Sequence, residues 1–248
     1  MTDPIRTDLS GRVVVVTGGN GGIGLGMAEA CAAAGAAVAI WGRNEAKNAT
    51  ALEAVAAHGN PATAVHCDVG EEDEVMASFA RTLDEFGRVD CMIANAGTGW
   101  PGRFVDQTVE QWRAVMRVNL EGTFLCFREA ARHMIERGDG GSLVAVSSVS
   151  SVHGAPLNQP YAASKGGINS MVRGLAVELA RYQIRCNTIV PGWIETDMTA
   201  MGRQNEKFLE NTTKRTPLRR WGVPRDLGPA AVFLANPDNL FHTGDAIV

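Results

Sequence analysis

The chain has 248 residues, 45% hydrophobic and 20% charged, with a net charge of -4, which fits one globular domain with a substantial core and excludes disorder or a fibre. Mild acidity and scattered Lys and Arg provide no electrostatic footprint for nucleic acid or an anionic membrane. The five cysteines, Cys31, Cys67, Cys91, Cys126 and Cys186, are widely separated and never form a CxxC pair; neither a disulfide framework nor a metal site is expected, and free thiols in a reducing compartment are.

No apolar run approaches the roughly 20 residues of a membrane span, and the opening MTDPIRTDLSG lacks the apolar core of a signal peptide. A cytoplasmic protein is expected. Along the chain, short apolar runs alternate with longer helical patterns. That rhythm predicts an α/β fold: a doubly wound parallel sheet of six or seven strands with helices on both faces, in one domain over 1–248.

Residues 13–16 are consecutive valines and read as a strand buried on both faces. TGGNGGIG at 17–24 follows at once, then an Ala-rich helical segment at 23–34 closed by Gly35. Gly18, Gly22 and Gly24 would let the chain turn sharply, bring backbone N–H groups against a pyrophosphate and let the helix pack tightly on the strand. A tight turn without a ligand is the plainer alternative; the strand before it and the helix after it favour the nucleotide reading.

A second strand at 37–41 runs into Gly42, Arg43 and Asn44, with a helix at 45–58. No carboxylate stands near this strand end before Glu45 to accept from the ribose hydroxyls of NAD. Arg43 could instead pair with a 2′-phosphate, or be a solvated loop arginine; NADP(H) is favoured over NAD(H). A third strand at 64–67 leads to Asp68 and Val69, where Asp68 could accept from an adenine amino group or simply begin the helix at 72–86. The fourth strand, 89–94, ends in Asn95, Ala96 and Gly97, small residues that allow a cofactor to approach or merely turn the chain.

Thr108 with Gln111 makes a capping box for a long helix reaching about 137. Asn119 lies inside it with Gly122 just after, poor helix formers that suggest a kink or a water-binding carbonyl, or else an incidental polar residue on an exposed face. LVAVSS at 143–148 reads as a buried strand ending in hydroxyls, at the sheet rim where such folds hold ligands. With a helix starting near Pro160, Tyr161 and Lys165 stand one turn apart on one face. After that helix, 161–182, a strand at 184–190 stops at Pro191 and Gly192. Residues 193–217 break the rhythm and are expected to form a mobile lid. A helix at 224–234 and a short strand at 245–248 complete the pattern.

With TGGNGGIG, NAG at 95–97, Asn119, Ser148, Tyr161, Lys165 and Pro191-Gly192 in order, the chain resembles the short-chain dehydrogenase/reductase family over essentially its whole length. Ser148 stands thirteen residues ahead of Tyr161, and Lys165 four after it. The resemblance implies a Rossmann-type sheet of seven parallel strands, a nicotinamide cofactor, and hydride transfer between a secondary alcohol and a ketone. It makes Tyr161 the acid/base, Ser148 the partner of the substrate oxygen, Lys165 the ligand of the nicotinamide ribose and Asn119 the holder of a relay water. Thr196 would bind the nicotinamide carboxamide, and Asn20, Ile23, Asn44, Val69 and Ile194 are expected to line the same cofactor site. A homotetramer, built through the helices at 108–137 and 161–182, is also implied.

The chain departs from the family's patterns in three places. Gly21 stands where some NADP-selecting members carry a basic residue, so Arg43 would hold the 2′-phosphate largely alone and dual cofactor use stays open. TGWPGRF after NAG is unlike the 3-oxoacyl-carrier-protein reductases, although IETDMT at 194–199 is like them and GLGMA at 24–28 is similar to sugar-acid members. Members also usually continue past the position of Val248 into a short Gly-rich tail. A 3-oxoacyl thioester is the leading substrate, with sugar acids or polyols as rivals. A non-catalytic NADP-binding module is the alternative of another class; the intact Ser148, Tyr161 and Lys165 set argues against it.

Chemistry sets a condition on that set. Bringing a tyrosine from its usual pKa of about 10 to near 7 needs roughly 4 kcal/mol in favour of the phenolate. An ammonium about 4 Å away supplies about 1 kcal/mol in water but about 4 at an effective dielectric near 20. The Tyr161–Lys165 pair is therefore expected to work only under cover.

Overall fold

Short, mostly apolar runs become the strands β1 (Val13–Thr17), β2 (Ala37–Gly42), β3 (Ala62–His66), β4 (Cys91–Ala94), β5 (Gly141–Val146), β6 (Ile184–Ile189) and β7 (Ala246–Ile247). In the computed structural model, which describes residues 7–248, they pair in the order β3-β2-β1-β4-β5-β6-β7, and every pairing is parallel. Most of the opening segment read for a signal peptide lies outside the described residues. Helices α1 (Gly22–Ala33), α2 (Glu45–Ala56) and α9 (Gly228–Ala235) cover one sheet face, while α3 (Glu72–Phe86), α5 (Gly122–Arg137) and α6 (Gln159–Leu179) cover the other. The period-2 side-chain alternation of a strand divides β1 between the two cores: Val14 and Val16 pack with Met27, Ala28 and Val232, and Val15 with Phe79, Phe127 and Ile168. The chain crosses from β3, outside β2, back to β4 beside β1. A crevice opens at that reversal, above the carboxyl ends of β1 and β4.

The predicted helix over 108–137 is interrupted. Thr108 and Gln111 do form the capping box of α4 (Val109–Met116), but residues Arg117–Glu121 form a π-type turn before α5 begins. Such a turn inserts one extra residue and rotates the helix beyond it, and Asn119, within the turn, is completely buried. The kink is therefore the reading that holds, and the exposed-face alternative is corrected. Gly122 also has a packing reason, since a Cβ there would lie 2.7 Å from Val69 Cγ2.

Residues 193–217 include two α-helices. They contain α7 (Ala200–Arg203) and α8 (Glu206–Arg215), the latter capped by Asn205 Oδ1, which accepts from Phe208 N at 3.0 Å. Trp193 stacks on Trp221 with ring centroids 5.2 Å apart and meets the edge of Phe208 at 4.9 Å. An aromatic cluster thus fastens the base of this segment.

No helix among the described residues is long and apolar enough to cross a membrane. All five cysteines are buried free thiols. Burial pushes Cys67 up to about 11 and Cys91 and Cys186 up to about 12, and raises Cys31 and Cys126 as well.

Candidate active site

A cleft of about 440 Å³ runs along the carboxyl ends of the strands, from Arg43 at one end to Tyr161 at the other. The glycine loop forms its floor. Gly18 and Gly22 hold φ of +61° and +51°, in the left-handed region where a side chain is strained. Gly18, Asn20, Gly22 and Ile23 line the cleft as expected, but Gly24 does not. A Cβ on Gly24 would collide with the Gly18 carbonyl and lie 2.5 Å from Asn95 Nδ2, so its absence lets α1 close onto the strand. No side chain caps the start of α1, and its first-turn N–H groups remain available to an anion.

Thr17, outside the predicted set, fastens the floor. Its Oγ1 accepts from Asn95 N and Ala96 N, both at 3.0 Å, while Asn95 Nδ2 donates to the Thr17 carbonyl at 2.9 Å and the Gly18 carbonyl at 3.2 Å. A hydroxyl closing a valine strand just ahead of the glycines was the available signal. Asn95 lines the cleft, but its side-chain amide is committed to this clasp. Asn20 is similarly engaged, donating from Nδ2 to Asn48 Oδ1 at 2.6 Å, and Asn44 caps α2 by accepting from Lys47 N at 2.9 Å.

At the Arg43 end, Asp68 and Val69 line the wall. Asp68 is already engaged: Arg43 Nη1 lies 3.6 Å from its Oδ2, Arg117 Nη2 3.4 Å from the same atom, and Gly70 N donates to Oδ1 at 3.0 Å. Arg43 is mostly exposed, with Asp68 as its ion-pair partner. Lys47 and Asp197, also outside the predicted set, line this end too and form an ion pair at 2.6 Å. On the opposite wall stand Pro191, Gly192, Ile194 and Thr196; the Thr196 methyl is 3.1 Å from where a Cβ of Gly22 would lie.

The far end separates the four serines. Ser147 Oγ turns inward to donate to the Lys165 carbonyl at 3.1 Å, and Ser151 Oγ donates to the Ser148 carbonyl at 2.5 Å and accepts from Asn169 Nδ2 at 2.8 Å. Ser150 N donates to Ser148 Oγ at 3.2 Å, and Ser148 lines the cleft together with Tyr161. Tyr161 follows Pro160 in the first turn of α6. One turn on, Lys165 Nζ lies 5.5 Å from the Tyr161 ring centroid and donates to the Val146 carbonyl at 2.7 Å.

Burial lowers Lys165 from 10.5 to about 8, because its cation has no carboxylate beside it. Burial also raises Tyr161, with the Ser148 hydroxyl pulling the other way. Lys165 directs its hydrogen bond to Val146, and desolvation of the phenolate is the larger effect.

Asn119 does not line the cleft. Its Oδ1 accepts from Thr98 N at 2.8 Å, its Nδ2 donates to the Thr98 carbonyl and to Ser164 Oγ at 3.0 Å each, and its carbonyl accepts from Thr123 Oγ1 at 2.7 Å. It ties the loop after β4 to α6 one residue ahead of Lys165. Gly97 fits between the two, for a Cβ there would lie 3.4 Å from Asn119 Oδ1 and 3.5 Å from Lys165 Nζ. Among the described residues, no group of three His, Cys, Asp or Glu is placed to hold a metal.

An uncapped helix start over a glycine floor, at the reversal point of a parallel sheet, with a buried ammonium and a phenol at one end, defines a dinucleotide-binding oxidoreductase. The residues present suit a nicotinamide dinucleotide: α1 offers donors to its pyrophosphate and Lys165 a cation to its ribose hydroxyls. Comparison with known proteins agrees. The family model described as Enoyl-(Acyl carrier protein) reductase matches residues 18–248. The chain is 35% identical over 241 residues to the L-rhamnose 1-dehydrogenase (NAD(P)(+)) of Sphingomonas sp. (strain SKA58), covering 97% of this chain and 95% of that protein. It is 33% identical over 240 residues to a 3-oxoacyl-acyl-carrier-protein reductase of Chlamydia pneumoniae, covering 97% and 96%. The crystal structure of a gluconate 5-dehydrogenase from Burkholderia cenocepacia J2315, in complex with NADP and tartrate, superposes with a TM-score of 0.92 at 36% identity, over 98% of this chain and 94% of that one. The chain belongs to the short-chain dehydrogenase/reductase family. It is an NAD(P)-dependent oxidoreductase acting on the CH–OH group of a small molecule.

Proposed function

We propose that this protein interconverts a ketone and a secondary alcohol with NADP(H) in preference to NAD(H), using Tyr161 as acid/base, Ser148 as the partner of the substrate oxygen and Lys165 as the cation that supports both. The bound nicotinamide supplies or accepts the hydride. The observation that carries the reading is the Tyr161 phenol, half-buried at the cleft end with Ser148 lining the same cleft and a buried ammonium one helical turn on. A phenol whose pKa is raised is protonated at neutral pH and ready to donate from Oη to an oxygen gaining negative charge. Ser148 Oγ can donate to that same oxygen and hold it in place. Lys165, at the ring, reduces the cost of the phenolate left behind. Asn119 acts behind these groups, fixing Thr98 and Ser164 rather than touching the reactants.

Of the two substrate classes, hydroxylated acids or polyols are favoured over 3-oxoacyl thioesters. Asn158 Oδ1 and Gln159 Oε1 are buried acceptors without a hydrogen-bond partner, and a Cβ on Gly99 would lie 3.6 Å from Asn158 Oδ1 and 3.9 Å from Tyr161 Cδ2. Unmatched acceptors at the start of α6, just ahead of Tyr161 in sequence, suit a substrate rich in hydroxyl donors. The similarity to rhamnose and gluconate enzymes points the same way. Residues 193–217 are proposed as the cover over the substrate. Free buried thiols fit a cytoplasmic protein. Exposed Phe104, Val105, Val109 and Phe124 support assembly as a homotetramer, and light scattering that returns a monomer would remove that part.

The test is a pair of variants assayed by nicotinamide absorbance against both substrate classes. Tyr161→Phe removes the proton donor and should lower turnover by about 10²- to 10⁴-fold while NADPH still binds. Arg43→Ala should weaken NADPH by about tenfold or more and leave NADH nearly unchanged. Unchanged turnover in the first, or equal losses of both cofactors in the second, refutes the corresponding assignment.

A further inference from the structure

The ion pairs at the Arg43 end of the cleft differ in what holds them. Arg43 faces Asp68, a carboxylate fixed from three sides by Arg43, Arg117 and the Gly70 N–H. Lys47, in the first turn of α2, instead reaches Asp197, 150 positions away in the chain, at 2.6 Å. The Asp197 side chain is 91% exposed and the Lys47 side chain 54%. Asp197 opens the segment that leads into α7 and α8, immediately after Thr196, whose side chain fills the space a Cβ on Gly22 would need. The pair thus spans the cleft rim from the helix beside Arg43 to the segment that covers the opposite wall.

Resting on the NADP(H) reading, we propose that Lys47 is a second ligand of the cofactor's 2′-phosphate, and that Asp197 occupies its ammonium until the phosphate displaces it. Arg43 shares its charge with Asp68 at 3.6 Å, so a dianion at this end gains from another cation. Among the described residues, Lys47 is the cation that lines the cleft besides Arg43 and Lys165. Its backbone N–H is held by Asn44, which fixes the start of α2 and leaves the four-carbon side chain to swing. A phosphate monoester carries about -1.5 to -2 charges and three acceptor oxygens, and outcompetes one carboxylate for an exposed ammonium whose ion pair is weak. NAD presents a neutral hydroxyl at that position and leaves the pair closed. Lys47 therefore discriminates between the cofactors twice: it gains a contact with one, and in doing so releases Asp197 and the segment behind it.

Calorimetric titration of the full chain with 2′,5′-ADP and with 5′-AMP, the adenosine halves that carry and lack the second phosphate, tests this without turnover. Lys47→Gln should lose about tenfold in affinity for 2′,5′-ADP, and Asp197→Asn should gain about threefold; neither should change for 5′-AMP. Both side chains are largely exposed, and unchanged melting temperatures will show that the fold is retained. If Lys47→Gln binds 2′,5′-ADP as the parent does, or loses both probes equally, the assignment of Lys47 is overturned. An Asp197→Asn variant with unaltered affinity overturns the competition. Should the parent bind 2′,5′-ADP no more tightly than 5′-AMP, the NADP(H) reading falls and this inference with it. If the parent does prefer 2′,5′-ADP and only Arg43→Ala abolishes the preference, the NADP(H) reading stands and Lys47 has no part in it.

Discussion

Lys165 costs the fold stability that its function explains, and the cost can be read from pH. Its side chain is buried, and its ammonium has the Val146 carbonyl as a hydrogen-bond partner but no carboxylate. Folding lowers its pKa from 10.5 to about 8. At 1.36 kcal/mol per pH unit, keeping the cation inside costs about 3 kcal/mol at neutral pH. Between pH 8 and 10.5 the unfolded chain binds more protons than the folded one at this site, so Lys165 makes stability rise with pH across that window. The buried thiols oppose it. Unfolded cysteines ionise near 9 while the folded ones stay protonated to about 11 or above, which lowers stability as pH rises through the same range. Comparison with Lys165→Met removes this background, because the variant keeps every thiol and much of the side-chain volume. Urea unfolding of both proteins at neutral pH and near pH 10 should show Lys165→Met losing about 3 kcal/mol of relative advantage over the window. The Val146 carbonyl, left without its donor in the variant, affects all pH values alike and cancels. Parallel pH profiles would refute the claim that the ammonium is held uncompensated.

The glycine floor and the helix insertion give further expectations. Gly24→Ala places a Cβ against the Gly18 carbonyl and Asn95 Nδ2, and should cost at least about 1–3 kcal/mol together with cofactor affinity; Gly154→Ala, where nothing lies within 4 Å, is the control, and equal melting temperatures for the two would contradict the packing role. Asn119→Ala strands the Thr98 N–H and carbonyl and removes the donor to Ser164 Oγ, which keeps its bond to the Tyr161 carbonyl, so denaturant unfolding should show a loss of about 2 kcal/mol or more; a near-neutral result would mean that the clamp is replaced by water.

The features legible in the sequence are those that depend on short spacings. Glycines between a valine strand and an Ala-rich helix, and a phenol four residues ahead of a lysine, fix their own geometry, and the strand–helix rhythm points to a parallel sheet. The serines were harder, since adjacent strand-end residues face opposite ways and only a partner shows which way: Ser147 meets the back of α6 and Ser148 the phenol. One extra residue at Arg117–Glu121 resets the helical phase, and an apolar pattern read across it averages the two halves into one helix. Asn205, three residues ahead of Phe208, is a capping signal submerged in the polar composition around α8. The Lys47–Asp197 pair had no local trace at all, because its members are 150 positions apart and meet only in the folded chain.

The buried thiols carry a consequence beyond compartment. Cys31 and Cys91 belong to the core on one face of the sheet, and Cys67, Cys126 and Cys186 to the core on the other. Each is shielded by the contacts that join helix to strand, and stays out of reach of reagents while those contacts last. The chain therefore carries a gauge of its own integrity. An alkylating reagent meets these sulfurs only when the layers part, and the order in which they become reactive is the order in which the two faces of the sheet come open.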